Sequence, residues 1–169
     1  MNIEPSESAR EEEKRRRQFV LQIVQPGLAG MMDGSVSTLA PIFATAFATN
    51  NSRTVFIVGM AAALGAGISM AFAEALSDSG ELTGRGNPWI RGGVEGAMTF
   101  VGGLGHTLPF LIPDIGTALA VAYVVVAIEL ILISWVRYHY FGMGFTRSAL
   151  QVLGGGILVF IVGIVLGQS

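Results

Sequence analysis

The chain contains no cysteine, so disulfides and thiolate metal sites are excluded and the redox compartment leaves no trace. Charge is scarce: 13% of residues are charged, against roughly a quarter in an average soluble domain. Only two histidines are present, which leaves hydrolytic or redox chemistry little to work with. No P-loop, Rossmann glycine fingerprint, His-rich zinc motif or nucleophile elbow occurs. Gly102-Gly103-Leu104-Gly105 lies inside an apolar run and does not read as a phosphate cradle. No cleavable signal peptide is expected, because residues 1–17 are polar and the first apolar run is too long for a signal core.

Apolar length is what the chain has in quantity. Hydrophobic residues make up 51% of the 169 positions, and 23 are glycine. Five apolar windows fall at about 26–48, 54–76, 92–112, 115–136 and 149–166. Each is close to the roughly 20 residues that a helix needs to cross the hydrocarbon of a bilayer. They show no period-2 alternation, and in lipid only helices or closed barrels satisfy the backbone. The expected fold is therefore an all-α membrane protein with five transmembrane helices. Residues 1–18 form a charged cytosolic segment, and residues 19–169 form the membrane domain.

Lys and Arg counting sets the orientation. An N-in, C-out arrangement places Arg10, Lys14, Arg15, Arg16, Arg17, Arg85, Arg91, Arg137 and Arg147 in the cytosol and only Arg53 outside. Trp89, Trp135, Tyr138 and Tyr140 suit the inner interface. The stretch from Ser6 to Arg17 reads as a cytosolic helix whose basic end meets anionic headgroups. Its glutamates could alternatively collect metal ions.

Ionisable groups inside membrane helices are costly and mark functional sites by default. Asp33, Glu74, Glu95 and Glu129 qualify, and all fall in the cytosolic half. Asp33 lies seven residues past Pro26, about 10 Å into the first span at helical rise. Glu129 reaches a similar depth, and Met70 and Met98 are level with this deeper pair. Met70, Glu74 and Asp78 recur every four residues and share one stripe, while Glu95, Met98, Gly102 and His106 share another. Carboxylate and thioether together suit a divalent transition metal better than magnesium or calcium. Glu95 and Glu129 could equally pair with a base or a backbone carbonyl; for Glu95 the base would be Arg91, one turn earlier. His106 is either a proton carrier or a hydrogen-bonded packing residue. Small residues Gly59, Ala63, Gly67 and Ala71, with Gly30 and Gly34, mark packing faces, and a homodimer with the path at its interface is expected.

Two segments carry a resemblance. Gly30-Met31-Met32-Asp33-Gly34-Ser35-Val36-Ser37-Thr38 and Gly67-Ile68-Ser69-Met70 resemble the signature segments of the vacuolar iron transporter family. Glu74 to Asp78 and Gly102 to Pro109 are similar to the transporter half of bacterial membrane-bound ferritin proteins. The resemblance spans about residues 25–167. It implies a dimeric five-helix exporter of ferrous iron, and often manganese, from the cytosol in exchange for protons. It further implies an ion site built on Asp33 and Met70.

Two departures stand out. The loop at 77–91 replaces the family's glutamate-rich domain, with Asp78 and Glu81 as its acids, and only about 18 residues stand where the bacterial fusion has a ferritin-like domain. The expected function is proton-coupled export of divalent metal, Fe2+ or Mn2+, through a bacterial plasma membrane. Asp33 and Met70 form the site, Glu74, Asp78 and Glu95 its entrance, and Met98 and Glu129 lie level with it. No resident cofactor and no enzymatic activity are expected. One alternative is a non-transporting membrane anchor for a separate ferritin-like protein. Another is a channel for an unrelated solute.

Overall fold

The computed structural model describes residues 6–168, whose regular elements are all helical, with no strand among them. Seven α-helices follow in order: α1 (Glu7–Phe19), α2 (Gln25–Ser37), α3 (Leu39–Thr49), α4 (Ser52–Ala75), α5 (Pro88–Gly105), α6 (Ile115–Phe141) and α7 (Phe145–Gln168).

Prolines shape the first part of the chain. Val20–Val24 widens into a π-turn immediately before Pro26, and the Gln25 N–H bonds back five residues to Val20. Pro26 has no N–H and its ring crowds the carbonyl four residues earlier, so a wider turn relieves the clash. Pro41 acts the same way on the carbonyl of Ser37, and the helix interrupts at Thr38, between α2 and α3. Further on, side chains start the helices: Asn51, Asn87 and Asp114 accept backbone N–H groups at the heads of α4, α5 and α6.

Helices α4, α6 and α7 contain 24, 27 and 24 residues and are long and apolar enough to cross a membrane. Their outward faces carry exposed Ile57, Ile68, Phe72, Ile128, Leu158 and Val165. An apolar surface this continuous is out of place in water and suits lipid, so the chain is a multi-pass membrane protein.

Helix α5 is the wedge of the molecule. One face packs on α4, where Gly92, Gly96 and Gly103 meet Ala71, Gly67 and Ala63. The other packs on α2, where a methyl group at Gly30 or Gly34 would run into the carbonyls of Glu95 and Thr99. Small residues on both sides bring backbones together, the usual solution where lipid supplies no hydrophobic drive between helices. A second layer joins α3 to α7 through Gly163 and Gly167, which lie against Ala40 and Ala44. Phe43 stacks on Tyr123 at 5.4 Å and meets Phe160 edge-on at 4.9 Å, which ties α3, α6 and α7 together.

Candidate functional site

The α2–α5–α4 seam collects the ionisable side chains. Glu95 is only 5% exposed. Its carboxyl approaches that of Glu74 across the α4–α5 contact and lies within electrostatic range of Asp33 and Arg85. Asp33 is half-buried on α2, and among the described residues no side-chain hydrogen bond or ion pair engages it.

Arg91 closes the lower end of the seam. Its side chain is fully buried and reaches back to α4, donating from Nε to Glu74 at 2.6 Å and from Nη2 to Asp78 at 3.0 Å. It also donates to the carbonyls of Gly86 and Asp78. Arg85 binds the same two carboxylates, at 2.7 Å to Glu74 and 3.4 Å to Asp78. The connection from α4 to α5 wraps around this charge cluster. Gly80 and Gly86 adopt φ of 81° and 80° there, a region that only glycine enters at little cost. Partial burial works against the Asp78 carboxylate. Hydrogen bonds from the Thr83 hydroxyl and the Gly80 N–H, with the charges of Arg91 and Arg85, outweigh it and hold the pKa below the ordinary aspartate value.

The stripe of Met70, Glu74 and Asp78 thus has its two acids side by side, both neutralised by arginine. Arg91 turns to them rather than to Glu95 one turn away on its own helix. The second stripe splits. Glu95 faces α4; Gly102 packs on Met31 and Ser35. Met98 lines an apolar groove with Met31, Leu132 and Trp135. Met70 is half-buried. No group of three or more His, Asp or Glu side chains is arranged to hold a metal ion among the described residues.

Glu129 and His106 form a separate polar centre. Nδ1 of His106 lies 3.0 Å from Oε2 of Glu129, and Nε2 lies 2.6 Å from the Thr38 hydroxyl. The Thr38 hydroxyl donates in turn to the Gly34 carbonyl at 2.7 Å. His106 is completely buried at the end of α5, and Gly105 makes room beside it, since a side chain there would strike the Glu129 carboxylate. Glu129 as the partner of His106, and Thr38 as the third member, had no signal in the sequence: three separate elements must meet to assemble them. The Arg85–Arg91 clamp was equally hidden, because loop arginines read first as topology markers.

No family model, no curated protein and no solved structure matches the chain.

Proposed function

We propose that the chain is a proton-coupled exporter of divalent transition metal, ferrous iron or manganese, that crosses a bacterial plasma membrane five times with its N-terminus in the cytosol. The α2–α3 pair, broken at Thr38, acts as the first span, and α4, α5, α6 and α7 are the others. The observation that carries the reading is the meeting of Glu95, Glu74 and Asp33 at one seam. A buried carboxyl beside a second carboxyl either keeps a proton or takes up a cation, and metal binding releases the proton. With Glu74 held by its arginines, Glu95 and Asp33 are the carboxyls that exchange one for the other.

Asp33, with Met70 and Glu95, is the ion site, and Glu74 and Asp78 line its mouth. Glu129 stands apart from this set because His106 occupies its carboxyl. One chain supplies few oxygen ligands here, and a homodimer that apposes two copies of the site would complete the coordination shell. The vacuolar iron transporter resemblance supports the same assignment through Asp33 and Met70.

The test is metal entry into inside-out proteoliposomes, followed with Mn2+ and Fe2+ and a pH-sensitive dye in the lumen. Metal uptake accompanied by proton exit, both lost in Asp33→Asn, is expected. Undiminished metal flux through Asp33→Asn rules the site out. A folded wild type that moves no metal rules out the exporter.

A further inference from the structure

Two short contacts at Thr38 share a single hydroxyl hydrogen. The Gly34 carbonyl has no hydrogen to give, so at 2.7 Å the Thr38 hydroxyl donates to it. The oxygen of Thr38 must then accept from His106, which fixes a hydrogen on Nε2 across the 2.6 Å contact. On the other side of the ring, Nδ1 and Glu129 Oε2 are 3.0 Å apart. If both lacked a hydrogen, two lone pairs would face each other in a buried site, with one uncompensated negative charge. One proton therefore sits between them, on the imidazole facing a carboxylate or on the carboxyl facing a neutral ring.

We infer that the His106–Glu129 pair is a second proton-carrying site of the protein, beside the carboxyls of the seam: it holds one exchangeable proton and, through Thr38, is linked to the backbone beside Asp33. This rests on the exporter reading and adds to it a further group that carries the counter-ion. The hydrogen-bonded chain runs from Glu129 through His106 and Thr38 to the carbonyl of Gly34, the residue that follows Asp33. Thr38 is also where the helix breaks between α2 and α3. A change in the proton state of the pair thus reaches the break in that span. Glu129 keeps slight exposure, with 11% of its side chain accessible against none for His106, so the carboxyl is the more open end of the pair. The bare pair, with its one uncompensated negative charge, is the costly state, held only between release of the proton to one side and uptake of another from the other side.

Other titratable groups lie along the surrounding helices, and among the described residues no hydrogen bond or ion pair joins them to His106 or Glu129. Helix α2 carries Asp33, α4 carries Arg53 and Glu74, and α5 carries Arg91 and Glu95. Helix α6 carries Tyr123, Arg137, Tyr138, His139 and Tyr140, and α7 carries Arg147. The side-chain hydrogen bonds of His106 and Glu129 are to each other and to Thr38, and a side chain at Gly105 would strike the Glu129 carboxylate.

The experiment uses the full chain in lipid nanodiscs and proteoliposomes. In 15N-histidine NMR, His106 (identified by its loss in His106→Gln) should show a hydrogen on Nε2 and a shared proton at Nδ1. A ring with bare Nε2 overturns the inference. In proteoliposomes, Glu129→Gln and His106→Gln should keep downhill Mn2+ movement and lower the number of protons exchanged per metal ion. If both variants fold and still exchange metal for protons as the wild type does, the pair is only structural and the inference fails, while the exporter stands. If the wild type moves no metal, the exporter reading fails and the carrier role falls with it, even where NMR shows the shared proton.

Discussion

Arg91 and Glu74 meet at 2.6 Å across the α4–α5 contact, with the guanidinium wholly out of solvent. The pair joins the end of one helix to the start of the next and draws Asp78, Arg85 and the intervening loop around it. Stranding one partner of a buried pair costs about 3–5 kcal/mol, but Arg85 still reaches both carboxylates when Arg91 is gone, so the loss should be smaller. Arg91→Gln should lower the thermal midpoint in detergent. Arg91→Lys should rescue little, since an ammonium cannot span Glu74, Asp78 and the Gly86 carbonyl at once. A lysine variant as stable as the wild type would show that charge alone suffices.

The helix seams make a contrasting pair of glycine predictions. At Gly34 an added methyl would penetrate the Thr99 backbone of α5, whereas at Gly65 nothing lies within 4 Å. Gly34→Ala should push α2 from α5 and prevent recovery of monodisperse protein by size exclusion. Gly65→Ala should fold normally and gain about 0.5–1 kcal/mol from the lower backbone entropy of the unfolded chain.

Acidity should act on the loop clamp in one direction. The Asp78 pKa is lowered in the folded protein, so its contribution to stability is present above the ordinary aspartate pKa of about 3.9 and fades as pH falls below that value. Hydrogen exchange across residues 77–87 should stay slow, once corrected for intrinsic pH dependence, from neutral pH down to about 4. It should rise below. Loosening already near pH 6 would mean that another group holds the loop.

The head of α5 depends on Asn87, whose side chain accepts from the N–H groups of Trp89 and Ile90 at 2.9 and 3.3 Å. Asn87→Ala should cost about 1 kcal/mol, and Asn87→Asp should be tolerated, because either side chain caps the first turn. Thermal unfolding of both variants checks this.

Much of the fold was legible because a membrane helix announces itself by length. The runs at 54–76, 115–136 and 149–166 correspond to α4, α6 and α7: α4 starts two residues earlier and ends one earlier, α6 runs five residues further at its C-terminal end, and α7 is longer at both ends. The first window was read as one helix and is two: Pro41 removes a backbone hydrogen bond, and the side-chain bonds of Thr38 settle the interruption one turn before it. Four-residue spacing put Glu74 and Asp78 on one helical stripe, but α4 ends at Ala75 and Asp78 joins Glu74 from the loop, through the arginines they share. Spacing said nothing about their arginine partners, because Arg85 and Arg91 arrive from a loop and from the next helix.

By itself, then, the sequence determined that the chain is a helical membrane protein, where its polar breaks fall, and which few ionisable residues lie within apolar runs. These follow from local quantities: run length, composition and helical period. Tertiary structure alone decided which of those groups are neutralised and which stay available. Glu74 and Asp78 were given to arginines, Glu129 to His106, and Glu95 and Asp33 were left at the seam. Those outcomes depend on distances between helices, which glycine contacts on both faces of α5 set, and a backbone-to-backbone approach has no periodic signature along a single chain.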